Sequence, residues 1–162
     1  MAESLHLREA HDGDLPFLLT LYCDVRGPEV AAWGWPASQR DAFLRMQFDA
    51  QRRSYQSAFP QAVHHIVLRD GQPVGRRLVA RASNGLLLVD IALLATHRNL
   101  GFGTQLMRKL MDECAAECRS LHLHVLRGNP AMRLYRRLGF NETSTGDLYI
   151  QMEWTPGAAP SP

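Results

Sequence analysis

Residues 86–103, LLLVDIALLATHRNLGFG, set an apolar run directly ahead of two glycines one residue apart, and TQLMRKLMDECAAEC follows at helical spacing. A strand that feeds a glycine turn and then a helix leaves the first backbone N–H groups of that helix without partners inside it, so they can hold an anion. This order predicts a phosphate-bearing ligand lying across a strand end. Gly101 and Gly103 alone also suit a plain tight turn. Arg98, the backbone of Asn99 and Leu100, and the Thr104 hydroxyl add anion-binding capacity around them. No Lys-Ser/Thr pair closes the loop, which argues against a nucleotide triphosphatase. Leu106 stands where the dinucleotide fingerprint needs its third glycine, which argues against that class too.

The flanking chain reads as alternating strands and helices. LHLRE at 5–9 is a short strand, and 15–25 a helix with Asp12 or Asp14 as its cap. Residues 26–36, RGPEVAAWGWP, interrupt the periodicity and suit either a lid over a pocket or a plug for the core. A second helix is expected over 37–57, strands over 63–68 and 73–80 around an Asp70-Gly71 turn, and the central strand over 86–94. Residues 101–118 form a third helix and 121–126 a further strand. Asn129 and Pro130 open a short helix at 131–138, and 140–142 with 148–154 make a closing hairpin.

At 162 residues and 46% hydrophobic content, the chain suits one core, expected over 3–154 as a single domain. The proline-rich end, 155–162, is expected to be a disordered tail. Eighteen basic against sixteen acidic side chains give a formal charge of +2 without a basic stripe, which argues against nucleic acid as the main partner. No signal-peptide core and no run near the ~20 apolar residues of a membrane span are present, so the expectation is a cytoplasmic chain with no membrane partner. Cys23, Cys114 and Cys118 make neither a disulfide framework nor, with the histidines, a metal cluster.

Asp90 is the chemically conspicuous residue of the central strand. Strict alternation groups it with Leu88 and Ala92, opposite Val89, Ile91 and Leu93. A charge amid LLLV and IALL is costly unless it is paired or reaches a cleft. It either serves chemistry there or holds Arg76, Arg77 or a backbone group.

The segment Arg98-Asn99-Leu100-Gly101-Phe102-Gly103 resembles the Arg/Gln-x-x-Gly-x-Gly/Ala signature of the Gcn5-related N-acetyltransferase superfamily. The segment from Asn129 through Tyr135 to Gly139 and Phe140 resembles the second signature, an Asn before a short helix ending in Tyr-x-x-x-Gly-Phe. The order of elements from Leu5 to Trp154 matches as well. Ala95 and Thr96 replace a common proline and acidic residue, and Asn99 a common glycine, which bears on loop conformation.

The resemblance implies an α/β (α+β) fold with a mixed, strongly curved central sheet whose two parallel strands splay apart around acetyl coenzyme A. It implies that N–H groups from Arg98 to Thr104, including Asn99, Leu100, Gly101, Phe102 and Gly103, take the pyrophosphate. Leu93, Leu94 and Ala95 would offer backbone groups to the pantetheine amides, with Leu93 or Leu94 also meeting the oxyanion. Asn129 would contact the cofactor while capping its helix, and Tyr135 would protonate the departing thiolate or simply pack its helix. Asp90 would take the proton of the attacking amine, directly or through water.

The activity so implied is direct transfer of an acetyl group from acetyl-CoA to a primary amine, a small amine or a peptide N-terminus. Asp24, Glu29, Trp33 and Trp35 are expected to help make that acceptor pocket acidic and aromatic. The alternative is a regulatory or interaction module that binds acetyl-CoA without transfer. Monomer and homodimer both remain open.

Overall fold

The structure, a computed structural model, describes residues 5–157. Its sheet has seven strands: β1 (Leu5–Glu9), β2 (Val63–Arg69), β3 (Gln72–Ala82), β4 (Gly85–Leu93), β5 (Leu121–Leu126), β6 (Asn141–Thr145) and β7 (Tyr149–Trp154). Their spatial order is β1-β2-β3-β4-β5-β7-β6, and every neighbouring pair is antiparallel except β4 with β5. Helix α1 (Leu15–Ala31) and α2 (Ala37–Ala58) cover one face, where Leu18, Tyr22, Leu44 and Phe48 pack on Ile66. Helix α3 (Phe102–Ala116) and α4 (Ala131–Arg137) cover the other, where Met107, Leu110 and Met132 pack on Leu88, Leu121 and Leu123. The mixed α/β architecture is the expected one. Residues 158–162 of the expected disordered tail lie outside the described residues, and Thr155 lies against Ser120, their hydroxyl oxygens 3.3 Å apart.

Helix α1 runs six residues past the expected end, through Gly27 and Pro28. Proline in a helix costs one backbone hydrogen bond and crowds the preceding turn. Val30, fully buried against the α1–α2 core, anchors the last turn beyond it, and the Arg26–Glu29 pair one turn apart adds a small gain. The true break is shorter, 32–36, and it folds Trp33 and Trp35 onto Phe43 of α2 with ring centroids 5.2–5.4 Å apart.

The decisive irregularity is in β4. Leu78 faces Asp90 but Val79 faces Leu88, so Val89 is an extra residue without a partner on β3. A bulge of this kind resets which face the following side chains take. Leu86 and Leu88 lie under α3, and so do Ile91 and Leu93 after the bulge. Asp90 therefore turns to the α1–α2 face, opposite Leu88. Strict alternation had placed the two together.

Candidate active site

The one parallel pairing among the described residues stops early. Leu86, Leu87 and Leu88 pair with Leu121, His122 and Leu123, and there the β4–β5 ladder ends, although β4 runs on to Leu93 and β5 to Leu126. The two strands diverge from the bulge onward, leaving a gap bounded by backbone. Leu94 N–H donates to Val74 O at 2.9 Å. Antiparallel alternation then turns the N–H groups of Leu93 and Ile91 away from β3, toward the gap. Ala95, one of the three residues expected to offer backbone groups here, donates its N–H to Asp24 Oδ2 at 2.6 Å. Of the three, Leu93 turns its N–H toward the gap, and Ile91, not anticipated, joins it.

At the end of β4 the chain makes one 3-10 turn over Ala95–His97 and enters α3 through Asn99 and Gly101, both at positive φ, 61° and 85°. None of the N–H groups of Asn99, Leu100, Gly101, Phe102, Gly103 and Thr104 donates to a protein acceptor among the described residues. Gly101 has open space where a Cβ would stand. Successive unpaired amides at a helix start, with left-handed residues among them, form an anion-binding concavity. This cradle fits the diphosphate of a coenzyme A. Arg98 stands behind it: its backbone N–H donates to Ala95 O, its Nε to Leu93 O at 2.9 Å, and its Nη2 to Asp24 Oδ2 at 3.3 Å.

Under α1 and α2 lies a cavity of about 230 Å³, lined by Leu21, Tyr22, Phe48 and Gln51 of the helices, Arg76, Asp90 and Ile91 of the sheet, and Asn129. Asp90 is the one carboxylate among the described residues that line it. Arg76 Nε donates to Asp90 Oδ2 at 2.7 Å and Arg76 Nη2 to Gln51 Oε1 at 3.0 Å, so the alternative partner foreseen for Asp90 is present. Asp90 Oδ1 has no protein partner among the described residues. Of the aromatic and acidic residues expected there, Asp24, Glu29, Trp33 and Trp35 do not line this cavity. A wider hollow of about 350 Å³ shares Leu18 and Arg76 with it and is walled further by His11, Tyr55 and His64, without Asp90.

Asn129 closes the other side, and Tyr135 lies behind the cavity's lining rather than in it. Asn129 Oδ1 accepts the Ala131 N–H at 2.9 Å, capping α4 and leaving its amide N–H groups for a ligand in the cavity. Tyr135 is buried in the α3–α4 core with its ring 5.8 Å from that of Phe140. Burial, and secondarily the charge of Asp90, push its hydroxyl up to about 12, so it is held as a proton donor. Cys114 is fully buried, and burial pushes its thiol up to about 11, which removes it as a nucleophile at neutral pH.

A diverging parallel pair that ends at an amide cradle is one feature; residues 28–140 supply the other by matching the acetyltransferase (GNAT) family. The chain belongs to the GNAT acetyltransferase family. Over 84 residues, 51% of this chain, it is 31% identical to the [ribosomal protein bS18]-alanine N-acetyltransferase of Haemophilus influenzae. The match spans 58% of that relative's length. Its GNAT fold is shared with the PaiA N-acetyltransferase of Thermoplasma acidophilum, solved in complex with coenzyme A, at a TM-score of 0.70 and 16% identity, covering 94% of this chain and 99% of that one. The ribosomal-protein-S18-alanine N-acetyltransferase of Escherichia coli superposes with a TM-score of 0.61 at 18% identity, covering 96% of each chain. GNAT enzymes take acetyl-CoA as acyl donor, and the gap and cradle described above have the shape and donors for it. Among the described residues, no helix is long and apolar enough to cross a membrane.

Sequence reasoning missed two residues at this GNAT site: Gln51, which accepts from Arg76 Nη2, and Ile91. Arg76 and Arg77 were both foreseen as partners of Asp90; the pair is with Arg76, while Arg77 reaches Glu113, and the bulge in β4 decides between them.

Proposed function

We propose that this chain transfers an acetyl group from acetyl-CoA to a primary amine by direct attack within a ternary complex. The observation that carries the reading is the early end of the β4–β5 ladder at Leu88–Leu123, which opens a path from the amide cradle at 99–104 to the cavity at Asp90. Bound there, acetyl-CoA supplies an activated thioester; the protein supplies position and proton control. Gly101, Phe102, Gly103 and Thr104, with Asn99 and Leu100, hold the diphosphate, and Arg98 shapes that loop. Leu93 and Ile91 meet the pantetheine chain, with Leu94 and Ala95 holding the rim on which they sit. Leu93 N–H is the donor for the thioester oxygen. Asp90, through Oδ1 or a water on it, accepts the amine proton, and Tyr135 gives a proton to the sulfur. The buried, protonated state of Cys114 supports direct attack over an acyl-cysteine route.

The acceptor is a small amine or a peptide N-terminus. The bS18-alanine N-acetyltransferase relative favours the peptide. The reading brings with it one domain over 3–154, a cytoplasmic location, and a monomer or homodimer. Titration calorimetry with acetyl-CoA, followed by thiol release across alanine-, serine- and methionine-starting peptides, polyamines and aminoglycosides, tests it. Binding with release on one class supports transfer. The absence of binding sinks it.

One observation favours a second reading, a binding module without transfer: the Arg76 guanidinium already occupies one oxygen of the carboxylate proposed as base. That reading expects acetyl-CoA binding and no release on any amine.

A further inference from the structure

We propose that Asp24 of α1 is a positioning residue for the cofactor: a brace that holds the diphosphate cradle in shape. The proposal rests on the acetyl-CoA reading above. One oxygen, Asp24 Oδ2, accepts from Ala95 N–H at 2.6 Å and from Arg98 Nη2 at 3.3 Å, and Arg98 Nε reaches on to Leu93 O at 2.9 Å. The end of β4, the 3-10 turn and α1 are thereby tied into one unit just before the cradle. The tie spans 71 and 74 residues of sequence, so nothing local supplies it in its absence.

The cradle needs such a brace. Asn99 sits at a φ of 61°, a conformation that relaxes readily in a free loop, and the amides after it point together only while it is held. The Arg98 guanidinium, which the family signature alone would have turned toward phosphate, is spent on Asp24 and on Leu93 O. A carboxylate near a diphosphate site is otherwise unfavourable. Here the Arg98 charge offsets it, and both side chains keep more than a third of their surface, 35% and 39%, in water.

This arrangement gives the test a sign. If Asp24 acted only by its charge, Asp24→Asn would relieve repulsion and tighten coenzyme A. If it acts as a brace, the neutral asparagine oxygen accepts from Ala95 and Arg98 without the charge assistance of the carboxylate, and coenzyme A binds more weakly, by about tenfold. The experiment is calorimetry with coenzyme A on the whole chain, and ligand-observed NMR with S-acetylpantetheine, which lacks the diphosphate, on wild type, Asp24→Asn and Arg98→Gln. Weaker coenzyme A with unchanged S-acetylpantetheine in both variants supports the brace. Unchanged or tighter coenzyme A in Asp24→Asn, or equal weakening of both ligands, overturns it while leaving acetyl-CoA binding by the wild type intact. Failure of the wild type to bind coenzyme A overturns the parent reading and this proposal together.

Discussion

Arg76 and Asp90 form an ion pair across neighbouring strands β3 and β4, Nε to Oδ2 at 2.7 Å, with the arginine side chain 9% exposed and the aspartate 27%. The bulge at Val89 makes the pair possible by turning Asp90 to the face where Arg76 meets Gln51 and where the guanidinium lies 5.7 Å from the Tyr55 ring centre. The geometry serves two ends. It compensates a buried cation, and it fixes a carboxylate at the wall of the cavity.

Asp90→Asn removes the anion and leaves Arg76 with neutral partners. The expected loss is roughly 2 kcal/mol, below the roughly 3–5 kcal/mol of a fully buried pair because Asp90 is partly solvated. Urea unfolding reads the stability, and thiol release reads turnover, which should fall about a hundredfold while coenzyme A still binds. Full turnover in this variant would remove Asp90 from the chemistry.

Tyr135→Phe should leave the melting temperature nearly unchanged, since the hydroxyl has no hydrogen-bond partner among the described residues. Turnover should drop by about 10²-fold with KM for acetyl-CoA held. Because burial raises the phenol to about 12, the wild-type rate should show no alkaline limb from Tyr135 below about pH 11. A limb near pH 9 that disappears in the phenylalanine variant would contradict the raised phenol while keeping Tyr135 in the chemistry; unchanged turnover in that variant would remove it.

Acid should weaken the fold through His64. Burial foremost, then the charge of Arg76, hold its imidazole down to about 4, against the raising effects of Asp90 and Asp14. The unfolded chain therefore binds a proton from pH 6.5 downward that the folded chain refuses until near pH 4. Stability present above pH 6.5 is lost progressively across that window. The burial-lowered His65 adds in the same direction. Asp14, held low chiefly by its hydrogen bonds with Arg8, extends the loss below pH 4. Urea midpoints between pH 7.5 and 4.5 should fall steadily, and His64→Gln should flatten the slope. An unchanged slope would exclude His64 as its source.

Gly101→Ala puts a Cβ at a φ of 85°, where no neighbour blocks it, so the cost is backbone strain of about 1 kcal/mol. The larger effect should be on coenzyme A, weakened at least tenfold as the amides turn away. Equal affinity in calorimetry would argue that the diphosphate lies elsewhere.

Much of the site was legible from the chain alone. The anion cradle follows from Gly101 and Gly103 after an apolar strand, and the Asn129 cap from the Asn-Pro pair before a short helix; both are properties of consecutive residues. The end of α1 was misjudged because Gly27 and Pro28 carry strong local signals against helix, and the buried Val30 overrides them only through contacts with α2. Asp90 was found, but on a face that strict alternation assigns wrongly, since a bulge exists only relative to a partner strand.

The order of strands and helices, the turn that bares the amides from Asn99 to Thr104, and the one charge in an apolar strand all follow from consecutive residues. These are short-range matters of periodicity, capping and φ preference. The parting of β4 and β5 at Leu88, the turn of Asp90 toward Arg76, and the bonds of Asp24 to Ala95 and Arg98 arise from the folded whole. Each joins groups 14 to 74 residues apart, and pairings at that range are selected by packing of the whole sheet and its helices, which no local pattern encodes.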